Sequence, residues 1–296
     1  MIYSNSELKI KVLGILQSLI KNLGLIPRPL QIIQLGDNIV SSRYVNLKLK
    51  MAKELGIKTH LIQPDVVDFE QVKDFFDRLP EMISKELINE ASWQAGVMLQ
   101  LPFDFQEQID YPALWDNDNF VDIDFLGYQT SRLFARGFLP PTIQAIDLVL
   151  KDILLNLNDF TLIEFQIKLD LRGKIVAAVG QGQLVGKFLT QYLVERGATV
   201  ISINEQTPNP ELLCKQADIV ITATGVGGLI KSNWLGSGAI VIDAGTSDSN
   251  GSIAGDVDIT QLTATHKIDE IVLCKSPGGI GPLTILCLFY NLIMIG

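Results

Sequence analysis

The chain has 296 residues, 47% of them hydrophobic, and a formal net charge of −9. This length and apolar content predict two domains with sizeable cores. The excess of negative charge argues against nucleic acid or an anionic membrane surface as a partner, and favours a small-molecule ligand.

No membrane or secretion signal is visible in the sequence. The first residues lack a basic segment followed by an apolar core, and the apolar run at 285–295 is shorter than the ~20 residues that span a bilayer. The three cysteines lack CxxC spacing, which indicates neither a disulfide framework nor a zinc site. A cytoplasmic protein without a bound metal is therefore expected.

The first half of the chain alternates short apolar runs with longer helical patterns. Strands are predicted at 30–35, 59–63 and 96–100, and helices at 41–55 and 69–88. Such alternation predicts an α/β domain with a mainly parallel sheet, whose ligands gather at the carboxyl ends of the strands.

Residues 103–142 are rich in Asp, Asn, Pro and Gly, which is typical of a passage between domains. A second α/β pattern then begins. It predicts helices at 143–155 and 184–196, and strands at 173–180, 199–203, 219–222 and 239–243.

The apolar C-terminal stretch predicts a buried helix after residue 282 that packs back on the first domain. We therefore expect an N-terminal α/β catalytic domain formed by 1–140 together with 277–296. The second domain is expected to comprise 141–276.

Residues able to carry chemistry lie at the predicted ends of the first sheet. Tyr44 and Lys48 are four residues apart on one helix, so the phenol and the amine share a face. A buried lysine whose pKa falls toward neutrality can exchange protons with a substrate, whereas a solvated lysine is the alternative interpretation. Gln100 ends a strand, where its amide is expected beside an active-site lysine. Asp122 and Asp124 place two carboxylates on one side, although one of them can instead cap the following segment.

A glycine-rich turn with the spacing GxGxxxG occupies 180–186, between a predicted strand and a predicted helix. In that context the backbone N–H groups and the helix dipole can bind a pyrophosphate. The spacing is one residue longer than the common dinucleotide fingerprint, and a plain strand–helix turn is the alternative. The context favours a Rossmann-type dinucleotide-binding domain.

Two prolines and three glycines fall within 277–284 and predict a rigid, open loop. Glycine lets a ligand approach the main chain, and proline reduces the entropy lost on ordering. This loop is expected to touch a ligand, with a tight turn before the last helix as the alternative.

Taken in order, these segments resemble the bifunctional methylenetetrahydrofolate dehydrogenase/methenyltetrahydrofolate cyclohydrolase family. The similarity is collinear over roughly 30–290, and the ordered set is more specific than any one motif. It rests on Tyr44-Val45 with Lys48, Gln100-Leu101-Pro102, Asp122-Ile123-Asp124, Pro140 with Thr142, the turn 180–186, 238–243, Gly255-Asp256-Val257 and 277–284.

The resemblance implies oxidation of 5,10-methylenetetrahydrofolate with a nicotinamide cofactor, followed by hydrolysis of the methenyl product to 10-formyltetrahydrofolate. It implies that Lys48 handles protons in the hydrolysis and that Tyr44 and Gln100 position it, while Asp124 holds the pterin. Further folate contacts are implied for Leu101, Pro102, Pro277, Gly278, Gly279 and Thr284. Cofactor contacts are implied for Thr142, Gly180, Gln181, Gly182, Gln183, Val185, Gly186, Glu205, Thr224, Gly225 and Gly245.

The chain departs from the family pattern at two places near these residues. Phe125 follows Asp124, where the family usually has glycine, and Pro141-Thr142-Ile143 replaces Cys-Thr-Pro. These differences indicate a divergent member, and a homodimer is what the family suggests.

Glu205 bears on the choice between NAD and NADP. It follows the second strand of the nucleotide domain, where members that use NADP tend to carry basic or hydroxyl groups. A carboxylate there can accept hydrogen bonds from a ribose diol but would repel a 2′-phosphate. The sequence therefore favours NAD.

Two other functions stay open at this stage. One is a related two-domain NAD(P) dehydrogenase that acts on another small substrate, which the presence of Tyr44, Lys48, Gln100 and Asp124 disfavours. The other is a non-catalytic folate or dinucleotide sensor, which would bind its ligand without turnover.

Overall fold

The computed structural model describes residues 1–22, 24–66, 68–87, 95–110, 120–127, 137–156, 160–182, 184–249 and 252–294. The chain divides into two compact units. The four-strand unit comprises Leu16–Pro141 and Ile285–Gly296, and the five-strand unit comprises Met1–Ile15 and Thr142–Thr284. The assignment of a folate-binding role to 1–140 with 277–296, and of a nucleotide-binding role to 141–276, stays a prediction.

The four-strand unit contains β1 (Leu30–Gln34), α2 (Ile39–Leu55), β2 (Thr59–Ile62), α3 (Phe69–Leu87), β3 (Ala95–Gln100) and β4 (Phe120–Asp122). Its strands form a parallel sheet with the order β2-β1-β3-β4. Residues of β1 and β3 are buried throughout, which explains why the sequences of these strands are continuous apolar runs.

Helix α3 covers one face of this sheet with its apolar stripe. Val72, Phe75 and Leu79 recur at helical spacing and pack in one core with Ile33 and Val97 of the sheet. The predicted alternation of strands and helices is confirmed for this part of the chain.

The last helix, α9 (Ile280–Met294), contributes its residues from Ile285 onward to the four-strand unit. Asn291 Nδ2 donates a hydrogen bond of 3.0 Å to the Leu139 carbonyl. A Cβ on Gly96 of β3 would lie 2.3 Å from Leu292 Cδ1, so the helix packs directly against this glycine. The predicted packing of this helix is confirmed. It begins at Ile280, earlier than predicted, because Pro282 fits the first turn of a helix.

The five-strand unit is built on a second parallel sheet, formed by β5 (Ile175–Val179), β6 (Thr199–Ile203), β7 (Ile219–Thr222), β8 (Ile240–Asp243) and β11 (Val272–Cys274). The strand order is β11-β8-β7-β5-β6. β5 pairs with β6 on one side and with β7 on the other, so the strand order reverses at β5. In open α/β sheets, ligands bind outside the carboxyl ends of the strands at such a reversal.

Several helices and an antiparallel hairpin complete this unit. The hairpin is β9 (Ser247–Ser249) with β10 (Ser252–Ala254). The helices are α4 (Pro141–Leu155), α5 (Leu162–Gln166), α6 (Gly186–Glu195), α7 (Pro210–Cys214) and α8 (Ile259–Ala264). Among the described residues, no helix combines the length and the apolar character needed to cross a membrane.

The elements that were not predicted are α1 (Ser6–Asn22), the short helices α5, α7 and α8, and the strands β4, β9, β10 and β11. The signal for α1 is present, since its buried residues Leu8, Val12, Leu16 and Leu19 recur every three to four positions. Each of these four strands is only three residues long, which is too short to show a period.

Candidate active site

Lys48 and Gln100 meet inside the four-strand unit. Lys48 lies on α2 and is 7% exposed, and Gln100 ends β3 and is 6% exposed. Lys48 Nζ donates a hydrogen bond of 2.9 Å to Gln100 Oε1. Burial lowers the pKa of the Lys48 amine from its ordinary value of 10.5, while the charge of Asp124 acts in the opposite direction. The burial of this side chain excludes a solvated Lys48.

Asp124 follows β4 and interacts electrostatically with Lys48. Burial raises the pKa of the Asp124 carboxyl above its usual 3.8, and the Lys48 charge opposes that rise. An amine and a carboxyl that modify each other's pKa in this way can exchange a proton with a bound molecule. The structure thus brings Lys48, Gln100 and Asp124 together.

Asp122 has a different task from Asp124. Its Oδ1 accepts hydrogen bonds from the backbone N–H groups of Asp124 at 3.1 Å and Phe125 at 2.9 Å, and its Oδ2 accepts from Gly127 at 3.0 Å. Burial raises the pKa of the Asp122 carboxyl to about 7, against the effect of these three N–H donors. Asp122 therefore caps the turn that presents Asp124, which is the structural alternative considered for one of the two aspartates.

Phe125 takes the backbone conformation that glycine favours. Its φ is 61°, in the left-handed region, and its ring is 1% exposed. That conformation costs a non-glycine residue about 1–2 kcal/mol, which burial of the ring can offset. The turn after Asp124 thus keeps a glycine-like shape although the glycine itself is replaced.

Tyr44 lies one helical turn before Lys48 on α2 and is half-buried. Burial raises the pKa of its phenol, and the charge of Arg43 partly opposes this. Near the beginning of the same helix, Ser41 Oγ donates a hydrogen bond of 2.8 Å to the Pro102 carbonyl. This bond ties the segment after β3, where Leu101 and Pro102 lie, to the helix that carries Tyr44 and Lys48.

The glycine turn of the five-strand unit joins β5 to α6. Gly180 has a φ of 96°, and a Cβ there would lie 2.6 Å from the Ala223 carbonyl oxygen. A Cβ on Gly186 would lie 2.0 Å from the Gly180 carbonyl oxygen. A Cβ on Gly182 would meet nothing within 4 Å. The outer two glycines are therefore required by the protein itself, whereas the middle one leaves open space for a ligand.

The N-terminus of α6 suits an anion. Val185 is its N-cap residue and makes no side-chain cap hydrogen bond, so the first N–H groups of the helix are not capped by that side chain. Gln181 points its amide to protein groups, since Nε2 donates to the Ala178 carbonyl at 3.2 Å and Oε1 accepts from Thr190 Oγ1 at 3.2 Å. Gln183 lies outside the described residues. Because the Gln181 side chain is engaged by protein groups, we expect the backbone of this turn to contact a dinucleotide.

The loops after β7 and β8 carry Thr224, Gly225 and Gly245. Thr224 N donates a hydrogen bond of 2.7 Å to Asp256 Oδ2, and Gly245 N donates one of 3.1 Å to Asp243 Oδ1. Both aspartates are fully buried. Burial raises the pKa of Asp243 to about 6 although its oxygens accept backbone N–H groups. The sequence analysis assigned no role to these two side chains. It used the segments that contain them, 238–243 and Gly255-Asp256-Val257, only as part of the family resemblance.

The segment before α9 is held by the N-terminal part of the chain. Asn5 is 4% exposed and donates a hydrogen bond of 2.5 Å from Nδ2 to the Gly279 carbonyl. Gly278 has a φ of 98°, and a Cβ on Gly279 would lie 2.3 Å from the Lys275 carbonyl oxygen. The loop predicted for 277–284 is therefore present only at 277–279, because α9 begins at Ile280. Thr284 lies within this helix, and its Oγ1 donates to the Ile280 carbonyl at 3.2 Å.

Two further predicted cofactor contacts lie at the ends of elements of the five-strand unit. Thr142 lies in the first turn of α4. Glu205 is exposed in the turn after β6, where Thr207 N donates to the Asn204 carbonyl at 3.1 Å. This turn follows the carboxyl end of the strand next to β5 in the sheet. That is the position from which a side chain reaches an adenosine ribose in dinucleotide-binding sheets.

Known proteins are similar to this chain over most of its length. Residues 160–295 match the family model for the tetrahydrofolate dehydrogenase/cyclohydrolase NAD(P)-binding domain. Bifunctional protein FolD of Mycoplasmopsis synoviae is 35% identical over 280 residues, covering 91% of this chain and 89% of that protein. Bifunctional protein FolD of Aquifex aeolicus is 32% identical over 280 residues, covering 90% and 84%. The crystal structure of the FolD methylenetetrahydrofolate dehydrogenase/cyclohydrolase from Campylobacter jejuni has a TM-score of 0.76 and 25% identity, covering 99% and 97%.

Proposed function

The chain belongs to the tetrahydrofolate dehydrogenase/cyclohydrolase family, and on this premise we propose that it oxidises 5,10-methylenetetrahydrofolate with NAD(P) and hydrolyses the methenyl product. The product of the second step is 10-formyltetrahydrofolate. The observation that carries the proposal is the buried contact of Lys48 with Gln100 beside Asp124, because it supplies a proton-handling group where a family member needs one.

Lys48 serves the hydrolytic step. Water adds to the methenyl carbon, loses a proton, and one carbon–nitrogen bond then breaks to leave the formyl group. Burial lowers the pKa of Lys48 and so favours the neutral amine, which can accept the proton of the attacking water and return it to the departing nitrogen. The remaining hydroxyl proton is released to solvent as the formyl carbonyl forms. Gln100 Oε1 accepts a hydrogen bond from the amine and so fixes its position.

Asp124 and Tyr44 bind and orient the folate. The pterin presents amino and ring N–H donors, and a carboxylate can accept two such bonds side by side. Asp122 holds the turn of Asp124 through three backbone hydrogen bonds, so the carboxylate is presented by a preorganised loop. Leu101, Pro102, Pro277, Gly278, Gly279 and Thr284 are proposed as further folate contacts.

The five-strand unit binds the nicotinamide cofactor, which supplies the hydride acceptor for the oxidation. The residues present fit a dinucleotide, because Gly182 leaves open space before the N-terminus of α6, whose N-cap side chain makes no hydrogen bond. Proposed backbone and side-chain contacts to the cofactor are Thr142, Gly180, Gln181, Gly182, Gln183, Val185, Gly186, Glu205, Thr224, Gly225 and Gly245.

NAD is the preferred cofactor in this proposal. Glu205 is exposed at the position from which a side chain would reach the adenosine ribose. Its charge would repel a 2′-phosphate, while its oxygens can accept hydrogen bonds from a ribose diol. A cytoplasmic location and a homodimer stay predictions.

The test is absorbance spectroscopy of the purified chain with 5,10-methylenetetrahydrofolate, with NAD and NADP in separate cuvettes. We expect reduced nicotinamide and methenyl product to accumulate, faster with NAD, and the methenyl absorbance then to decay by hydrolysis. A folded chain that binds folate and cofactor without reducing either cofactor would indicate a sensor instead.

Replacing Glu205 by Ser is expected to shift the kcat/KM ratio of NADP to NAD upward by about tenfold, because a like charge beside the 2′-phosphate is removed. The matched control is Gln206→Ser, which changes an exposed neutral residue of the same turn. If the ratio stayed at the wild-type value in both variants, Glu205 would not face the ribose.

A further inference from the structure

In the five-strand unit, each of two buried aspartates packs against a glycine that neighbours the other aspartate. Asp243 is the last residue of β8, and Gly245 follows it; Gly255 directly precedes Asp256. A Cβ on Gly245 would lie 1.9 Å from Asp256 Oδ1, and a Cβ on Gly255 would lie 2.2 Å from Asp243 Oδ2. Each carboxylate therefore occupies the space that a side chain on the other segment would need.

Hydrogen bonds connect the same two segments. The Asp243 carboxylate accepts bonds from Gly245 N at 3.1 Å, Asp256 N at 3.1 Å and Val257 N at 3.0 Å. Through these bonds, the loop after β8 and the segment 255–257 form one rigid assembly.

Asp256 extends this assembly to the loop after β7. Its Oδ2 accepts a bond of 2.6 Å from Thr222 Oγ1 and one of 2.7 Å from Thr224 N. Thr222 ends β7 and is fully buried, as is Asp256. Among the described residues Asp256 Oδ1 has no hydrogen-bond partner, so the carboxylate acts through Oδ2 alone.

All of these contacts lie at the carboxyl ends of neighbouring parallel strands. Thr222 pairs with Asp243 in the register of β7 and β8, and with Val179, the residue before the glycine turn. The assembly therefore adjoins the edge of the sheet at which a dinucleotide binds, and it holds the segments that carry Thr224, Gly225 and Gly245.

We propose that Asp256 is a positioning residue for the nicotinamide cofactor, acting through Thr222 and the Thr224 backbone on the loops after β7 and β8. This inference rests on the proposed function, because it presupposes that these loops contact the cofactor. Full burial keeps Asp256 from touching a ligand, so it acts by fixing the backbone that does. A buried carboxylate with two donors on one oxygen holds its partners more firmly than neutral groups would.

Thr222→Val provides the test, since valine has nearly the shape of threonine but lacks the hydroxyl that donates to Asp256. Dissociation constants for NADH and NADPH are measured by the fluorescence of the reduced cofactor, together with Tm. We expect a rise in Kd of at least about threefold in Thr222→Val, a larger rise in Asp256→Ala, and a return to the wild-type value in Thr222→Ser.

Asp218→Ala is the matched control. Asp218 Oδ2 accepts a bond of 2.8 Å from Ile175 N at the amino ends of the same strands, so this variant also removes a contact between a carboxylate and the backbone. It is expected to lower Tm without changing Kd. A Thr222→Val variant with a lowered Tm and an unchanged Kd would overturn the positioning role, and it remains informative even if Asp256→Ala does not fold. If the wild-type chain bound neither cofactor, the proposed function would fail, and the inference with it.

Discussion

Lys48→Met is expected to reduce hydrolysis of 5,10-methenyltetrahydrofolate by at least about a hundredfold while folate binding stays measurable. General acid–base catalysis by a positioned side chain contributes roughly 10²–10⁴-fold, and this variant removes the group that handles the proton. Methionine is unbranched and apolar, so it fits the buried space that Lys48 occupies on α2. The measurement is the decay of methenyl absorbance, with folate affinity followed separately by calorimetry.

Lys53→Met is the control for this variant, because Lys53 is an exposed lysine on the same helix. We expect it to hydrolyse the methenyl substrate at the wild-type rate. In the wild-type chain, kcat/KM for hydrolysis should rise with pH through an apparent pKa below 10.5, because burial favours the neutral amine in the folded protein. Equal hydrolysis by Lys48→Met and the wild type would remove Lys48 from the mechanism.

Gly186→Ala is expected to lower the dehydrogenase kcat/KM by about a hundredfold, because it displaces the turn that receives the cofactor. The new Cβ would lie 2.0 Å from the Gly180 carbonyl oxygen and 2.6 Å from Gln181 Cα. Both are backbone atoms, which cannot move away without shifting the junction of β5 and α6. Cofactor reduction and Tm are the measurements, and Tm is expected to fall as well.

Gly182→Ala separates loss of fold from loss of cofactor contact at the same turn. A Cβ there meets no protein atom within 4 Å, so Tm should stay at the wild-type value. If the pyrophosphate lies against this glycine, the added methyl group will still raise the Kd of the cofactor, by about tenfold. Wild-type cofactor affinity in Gly182→Ala would contradict binding at this turn.

Local patterns were sufficient to predict most of the fold because they depend on short-range periodicity. The alternation of apolar strands and amphipathic helices predicted both parallel sheets, and the apolar C-terminal stretch predicted α9. Helix α1 was missed although its buried positions have helical spacing. The short strands β4 and β11 carry too few residues for any period to show, and only pairing with a neighbouring strand defines them.

The candidate site was predictable to a lesser degree. Tyr44 and Lys48 share a helix face by spacing alone, and Gln100 was placed at a strand end by the apolar run before it. The sequence could not choose between ligand and cap for Asp122 and Asp124. Three backbone hydrogen bonds show that Asp122 is the residue that caps the turn, and they form only when the turn after β4 is folded. The contact of Asp124 with folate stays a prediction.

The sequence by itself therefore determined the two α/β patterns, the glycine turn and the set of residues able to carry the chemistry, since each depends on neighbours within a few positions. Tertiary structure alone decided that Lys48 contacts Gln100, that Asp256 holds Thr222 and Thr224, and that Asn5 holds Gly279. These partners are far apart in the chain. They meet because the order of strands and the packing of helices bring distant segments together, and local periodicity contains no information about that order.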